Sequence, residues 1–546
     1  MRILLLIFLY FPILLISQVN MNLNLLGTYD YDFPVEGNDI WGWVDEHNNE
    51  YALVGLTHGL SVVNVTNPLS PVEEFFISDI YSIWRDIKTW GNYAYVTTEA
   101  NAGLLIVDLT DMTGSTYSHV TQFTNNNGGS VSFTSAHDIY IDEYGIAYIF
   151  GAGGSGPQSN GAIFLDVNAN PTNPVYLGEW SDEYIHDGMV RGDTMYAGCI
   201  YAGELFIVDV SDKSNPVTIG SHPTPNNFTH NVWVSDDSDY VFTTDEVSDA
   251  YLAAYDISDL GNIQEIDRIQ SNPGSNSIPH NTFVDGNFLI TSYYRDGTTV
   301  HDITHPSYMI QVGYYDSYSG SGNGFDGCWG TYPFLPSGNI ISSDINSGPG
   351  GGGRLLIYER DFQQACYLKG NVTDAGTGGP ISNTSIEILS TTINESTNLL
   401  GFYQTASVNS GNFEVIFSAT GYNTDTLTVS LVNGVMTVLN VTLCPLSSST
   451  SNTTTDFACD AYTWSVDGNT YTASGTYTDV VGCHTEILNL TINSSTTSTT
   501  DVIECDTYTW NGIVYTTSGT YTYTTSNTNN CDSTATLNLT INPSTT

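Results

Sequence analysis

Lysine and arginine are scarce: ten of them stand against 58 Asp and Glu, so the 546-residue chain carries a formal charge of −48. A protein that neutralises phosphates needs the opposite balance, which excludes a nucleic-acid partner as a working idea. After the first 16 residues no apolar run approaches the ~20 residues that span a bilayer. Cysteine is limited to eight residues, and none follows that first run closely, which argues against a lipoprotein. What is present is 40% hydrophobic residues with 51 Gly and 36 Tyr, and much Thr, Ser and Asn. That mixture favours strands and turns over helices, so an all-β chain is expected, with about three to five domains at roughly 100–200 residues each.

Met1-Arg2, the aliphatic run from Ile3 to Ile16 and Ser17-Gln18 read as a secretory signal peptide over residues 1–18. The run is too short for an uncleaved anchor. The mature protein is therefore expected to be secreted, extracellular or on the outer cell surface, where disulfides are admissible.

One phrase recurs: Leu60 to Asn64, Leu104 to Asp108, Ala162 to Asp166, Leu205 to Asp209, Leu252 to Asp256, Thr298 to Asp302 and Leu355 to Glu359. The acidic or amide anchors are 44, 58, 43, 47, 46 and 57 residues apart. The two long steps contain the Gly-rich stretches 151–161 and 346–353, which read as loop insertions. A period near 45 built of several short apolar runs matches one four-stranded propeller blade, so residues 25–362 are expected to form a seven-bladed β-propeller. In the second unit, Arg85 to Thr89, Tyr93 to Thr97, Leu104 to Leu109 and His119 to Phe123 are the expected strands, innermost to outermost. No outer strand remains after the seventh copy. Leu25 to Tyr29 resembles the outer strands Tyr176 to Trp180 and Val217 to Ser221, and is expected to close the ring from the N-terminus, leaving no bare sheet edge.

Leu104 to Asp108, Leu205 to Asp209 and the stretch from Thr229 to Glu246 make residues 25–362 resemble the LVIVD-repeat proteins of the choice-of-anchor B type. That resemblance implies an exported propeller and supplies no settled activity. Residues 366–444, with Gly370 to Asp374, Gly379 to Ile381 and Gly411 to Val415, resemble a carboxypeptidase-regulatory-like sandwich, which implies a spacer without a peptidase centre. A Ser/Thr linker over 445–456 is expected to lead to a surface β repeat at 457–493. A second linker at 494–501 and a second repeat at 502–541 follow. Each repeat opens Cys-Asp-x-Tyr-Thr-Trp, at Cys459 and at Cys505. Three pairs are expected: Cys366 with Cys444 bracketing the sandwich, and Cys459 with Cys483 and Cys505 with Cys531 inside single repeats. Cys199 and Cys328, from distant blades, stay unpaired. No terminal sorting domain is visible, so either further residues or release into the medium is expected.

The start of each innermost strand carries a polar pair: Asn38-Asp39, Arg85-Asp86, His137-Asp138, His186-Asp187, His230-Asn231, His280-Asn281 and Asp326-Gly327. The repeated Asp or Asn in second position is expected to cap local turns. The first position should ring one channel mouth, so Arg85, His137, His186, His230, His280 and Asp326 are the candidate ligand- or partner-binding residues. The ends of the second strands should bring His58, Glu99, Asp245-Glu246, Arg295-Asp296 and Asp344 near. His137, His186, His230 and His280 with Asp245 and Glu246 form a candidate site for a divalent transition metal, since imidazoles converging beside carboxylates are what such an ion requires. Backbone bonding and polar-ligand recognition are the alternatives for the same histidines. Asp236-Asp237 and Asp239 read as a hairpin turn, Gly151 to Gly156 lacks the Lys-Ser/Thr of a phosphate loop, and no Gly-x-Ser-x-Gly elbow occurs.

The expected function is an extracellular or surface binding protein, monomeric, whose propeller takes a ligand, glycan or protein at one face while the tail acts as a stalk. The alternative is a metal-dependent propeller enzyme, an oxidoreductase or hydrolase, centred on the histidine arc.

Overall fold

Each repeat phrase folds as a strand because its apolar side chains are buried on both faces, with Leu104, Leu105, Ile106 and Val107 all nearly inaccessible to solvent. The closing Asp then ends the strand by accepting from the residues beyond it. Asp108 receives the Thr110 N–H at 2.9 Å, Asp209 that of Ser211 at 2.9 Å, and Asp256 that of Ser258 at 3.0 Å. These turns hold the anchor of the repeat in the scaffold rather than in a site.

The computed structural model describes residues 20–125, 127–153, 161–447 and 450–545. The expected leader at 1–18 and most of the 151–161 insertion lie outside the described residues. The described residues are β-strands and loops apart from one short 3-10 turn at Pro349–Gly351, and no helix among them is long and apolar enough to cross a membrane. Two units are formed, one of residues 1–366 with 433–435 and one of 367–432 with 436–546.

In the first unit the described residues make seven antiparallel sheets on the pattern of propeller blades, six of four strands and one extended by the short strand Asn20–Met21. The innermost strands are Gly37–Val44, Arg85–Trp90, Asp138–Ile141, Asp187–Arg191, Thr229–Val234, Thr282–Asp285 and Cys328–Tyr332. Each sheet packs on the next in chain order, and the last packs on the first. Closure is made by Leu23–Asp30, which runs antiparallel to Arg354–Arg360 from Leu23 opposite Arg360 to Asp30 opposite Arg354. Gly27 in this strand is required: a Cβ there would lie 2.1 Å from the Pro68 carbonyl oxygen of the neighbouring sheet, and Gly178 makes the same close approach to Lys213. The expected outer strand His119 to Phe123 is two pieces. Tyr117–Val120 completes its blade, and Gln122–Thr124 turns away to pair with Ser130–Ser132. Asp236 to Asp239 is a hairpin turn, tied by the Ser235 hydroxyl to Asp237 at 2.6 Å.

In the second unit, residues to 447 form a sandwich of two sheets, one around Cys366–Asp374 and one around Gly411–Ser418. The two repeats follow, and their expected linkers are strands. Thr450–Cys459 pairs parallel with His484–Asn493, and Thr496–Cys505 pairs parallel with Asp532–Asn542.

That parallel pairing overturns all three expected disulfides. Cys459 lies opposite Asn493, whereas Cys483 precedes His484, which lies opposite Thr450. Nine residues at ~3.3 Å put Cys459 and Cys483 about 30 Å apart, against a Cα limit of ~7 Å for a bridge. Cys505 and Cys531 are separated in the same way. Cys366 opens the strand whose far end, at Asp374, pairs beside Leu443, next to Cys444. The bonds formed are Cys444–Cys483 and Cys459–Cys531, each linking one module to the next, while Cys366 and Cys505 are free. Cys199 and Cys328 are free and buried, as expected.

Two predictions test these packing relations. A chain beginning at residue 36 loses the closing strand and its buried Leu23. Its melting temperature should fall by on the order of 10 °C, measured by scanning calorimetry; equal melting would refute closure. His301 is fully buried with both ring nitrogens lacking a partner, and burial lowers its pKa from the usual 6.5 to about 3. The folded state therefore refuses a proton that the unfolded chain accepts, and stability is lost as pH falls from about 6.5 towards 3. At pH 5 this one group should cost about 2 kcal/mol. The His301→Leu protein should accordingly lose less stability than the parent in urea unfolding compared between pH 7.5 and pH 5.

Candidate functional site

Because every inner strand starts at the same end of the ring, the residues just before it converge. The rings of His137 and His186 stand 3.8 Å apart, those of His186 and His230 4.5 Å, and those of His230 and His280 4.5 Å. Ligand atoms of His137, His186 and His230 all lie within 4.8 Å of one another, and so do those of His230, Glu246 and His280.

The outer contacts orient the rings. The His280 Nδ1–H donates to the Trp329 carbonyl oxygen at 2.6 Å, so its Nε2 lone pair is free and lies 3.8 Å from Glu246 Oε1. His137 Nδ1 is 2.8 Å from Glu99 Oε1, and since a carboxylate accepts, Nε2 is again the bare nitrogen. A histidine whose second nitrogen is tied to a carboxylate or carbonyl is the arrangement that prepares an imidazole as a metal ligand. His230 Nδ1 is buried without a partner, and its Nε2 stands 3.6 Å from Glu246 Oε2. Glu246 is held by the Tyr294 hydroxyl at 2.6 Å. Burial holds His186 and His230 well below the ordinary histidine value and brings His280 to about 3, so these three rings are neutral, the form that binds metal. Burial also pushes the Glu246 carboxyl up to about 7.

Above this floor opens a cavity of about 700 Å3, walled by Trp84, Trp329, Tyr184, Tyr201, Tyr294 and Phe325. That volume suits a small organic molecule. These aromatic residues are not among the candidates that the sequence singled out. A local signal existed for Trp84 and Tyr184, which stand one and two residues ahead of the polar pairs.

Other candidates are engaged elsewhere. Arg85 is buried with its Nε on the Leu56 carbonyl at 2.9 Å and its Nη1 on Asp79 at 2.7 Å, which staples it to the preceding blade. Asp326 is taken by Arg295 and by Asn346, the latter at 2.8 Å. Asp245, expected as a metal ligand, turns its carboxylate to the Thr224 hydroxyl at 2.6 Å and the Asn226 N–H at 2.7 Å. Of the second-strand ends, only Glu99 and Glu246 meet the histidines. His58 bonds Thr57, Asp296 bonds Ser271 and Asp344 bonds Ser347.

The second position of the polar pairs is also corrected. Asp39 does accept from the local Ile40 N–H, but together these groups form a layer below the imidazoles. Lys88 Nζ is 2.5 Å from Asp86, 4.0 Å from Asp39 and 4.5 Å above the Trp41 ring. Asp86 shares hydrogen bonds with Asp39 and Asp138. Asn231 accepts from the Thr282 N–H of the next blade at 2.9 Å. Burial and neighbouring carboxylates hold Asp39 and Asp138 well above the usual carboxylate range, and burial raises Asp187 to about 7.

With this geometry established, the likenesses to known proteins can be placed on it. Residues 84–121 and 192–224 match the LVIVD repeat. The propeller carries LVIVD repeats. The first matched stretch includes Trp84, Arg85 and Asp86, so the wall and the carboxylate layer partly lie inside an LVIVD repeat. Residues 368–453 match the CarboxypepD_reg-like domain. Among solved structures, a chain in "Crystal Structure of Mitotic Checkpoint Complex" is similar at 12% identity and a TM-score of 0.44, over 62% of this chain and 92% of that one. The β-propeller domain of Cps50 (Swd1) from Myceliophteria thermophila is similar at 10% identity and a TM-score of 0.42, over 62% of this chain and 99% of that one. Likenesses that distant carry no argument about the site. No curated protein matches the chain.

Removing the cation from the lower layer tests its role. Breaking a buried ion pair by deleting one partner costs about 3–5 kcal/mol, so Lys88→Met should lower the urea-unfolding free energy at pH 7.5 by about that amount. A neutral result would mean that the Asp residues need no counter-charge.

Proposed function

We propose that this is an exported protein of the choice-of-anchor B type, with a seven-bladed propeller and a tail that serves as a stalk. The propeller holds a divalent transition metal on the imidazole floor and takes a small organic ligand in the cavity above it. One observation carries this reading. His137 and His280 are each tied through Nδ1, to a carboxylate and a carbonyl, which leaves bare Nε2 atoms beside His230, His186 and Glu246. A set of neutral nitrogens with one carboxylate suits zinc, copper, nickel or iron rather than calcium or magnesium, which prefer all-oxygen sites. Export is supported by the leader-like first 18 residues and by the two disulfides.

The test is metal analysis of the purified full chain, followed by calorimetric titration of the stripped protein with Zn2+, Cu2+ and Ni2+. One equivalent of one metal per chain is expected. In the His186→Ala/His230→Ala protein that binding should drop by about 100-fold or more, while the metal-free melting temperature shifts by no more than a few degrees, because His186 borders the cavity and His230 Nδ1 has no partner to lose. Full-strength binding in the double variant would sink the metal reading, and collapse of the fold would make the imidazoles structural partners.

A second reading, a metal-dependent propeller enzyme of oxidoreductase or hydrolase type, is favoured by Glu246. Its carboxyl faces two of the imidazoles, is oriented by Tyr294 and borders a cavity with room for a substrate. A group so placed could exchange a proton with a substrate in the cavity, which a metal on the imidazoles would polarise.

A further inference from the structure

The two disulfides share one rule. A cysteine at the outgoing end of one module bonds the loop cysteine of the following repeat: Cys444, at the end of the sandwich, bonds Cys483 of the first repeat, and Cys459, which lies opposite the first repeat's last strand residue Asn493, bonds Cys531 of the second. The third member of the series, Cys505, occupies the place in the second repeat that Cys459 occupies in the first, 46 residues earlier. Both end the first strand of their repeat, Cys459 opposite Asn493 and Cys505 opposite Asn542.

The surroundings repeat as well. In the first repeat Asp460 accepts from the Ser495 N–H at 2.9 Å and the Ser495 hydroxyl at 2.6 Å, and the second repeat's Asn527 donates to the Ser494 carbonyl at 3.0 Å. In the second repeat Asp506 accepts from the Ser544 N–H at 2.8 Å and from the Ser544 hydroxyl. The platform that receives a repeat on the first module is therefore rebuilt on the second, where Cys505 is an exposed thiol. Its own repeat cannot supply the partner, because Cys531 stands at the opposite end of the sheet and is already bonded to Cys459.

We infer that Cys505 is the open end of a disulfide ladder, and that its partner is the loop cysteine of a further repeat of this kind, docked on Asp506 and Ser544 as the second repeat docks on the first. The bond forms by exchange. The Cys505 thiolate attacks a disulfide oxidant such as glutathione disulfide, giving a mixed disulfide and releasing one glutathione thiolate. The loop thiolate of the docked repeat then attacks the Cys505 sulfur and releases the second. One S–S bond is consumed and one made, and the two electrons and the two thiol protons end on two molecules of glutathione.

The test extends the full chain after Thr546 with a second copy of residues 498–546, which continues the repeat in register. After oxidation in a glutathione buffer, non-reducing peptide mapping should find Cys505 bonded to the added loop cysteine, with the counterpart of Cys505 in the added copy as the new free thiol. Cys505→Ser in that longer chain should leave the added loop cysteine open to alkylation. The proposal is overturned if the added copy closes its own two cysteines, if Cys505 stays reduced beside a free loop thiol, or if Cys505 ends as a glutathione adduct or a Cys505–Cys505 dimer. An independent check needs no added repeat. In the folded 546-residue protein iodoacetamide should modify Cys505 completely, with Cys199, Cys328 and Cys366 reacting only after unfolding. A Cys505 that resists alkylation in the folded protein refutes the open end.

Discussion

Closure of the ring by Leu23–Asp30 against Arg354–Arg360 is the constraint on which the site depends. Each sheet alone presents one polar pair at the start of its inner strand, with little chemical meaning. Once the last sheet is locked against the first, the inner strands have no freedom to spread, and side chains from four consecutive blades are held 3.8 to 4.5 Å apart. The entropic cost of gathering these side chains is met by burial of the strand core, far from the site. That lets the site itself remain poorly satisfied, with the buried His230 Nδ1 left unbonded.

Electrostatics divides the channel into two layers. Below, Lys88 answers Asp39, Asp86 and Asp138, so the fold carries its own cation where the carboxylates crowd. Above, burial keeps His186, His230 and His280 neutral, and Glu99 and Glu246 face the imidazole cluster. On the proposed reading, a divalent cation would meet imidazole nitrogens and a carboxylate at the upper layer, with a fixed ammonium below it. The aromatic wall adds a low-dielectric surround, in which a polar group interacts more strongly than it would in water.

The tail obeys a different constraint. Each repeat begins with a strand laid parallel to its last strand, and a parallel pair places the start of one beside the start of the other. Two cysteines at the end of the first strand and just before the last are therefore kept apart by the length of the sheet. Bonding between modules follows, and it links the small cores covalently in a row. The small repeats have modest cores, with Trp464, Leu488 and Leu490 at the centre of the first, and small domains of that kind depend on cross-links for stability.

The all-β class, the repeat near 45 residues, the closing strand and the convergence of His137, His186, His230 and His280 were legible in the chain alone. These follow from local patterning: an apolar run of five residues ended by Asp or Asn makes a strand and its turn wherever it occurs, and equal spacing puts equal residues at equal places in the ring. Only the tertiary structure decided which neighbours of those histidines share their surface. Asp245 and Glu246 are adjacent in the chain, yet one carboxylate goes to Thr224 and the other to the imidazoles, because successive side chains along an extended backbone point to opposite sides. The Asp and Asn layer around Lys88 and the wall of Trp84, Trp329 and Tyr184 likewise join residues from distant blades. The cysteine partners were decided by parallel register, a long-range property that spacing along the chain does not encode.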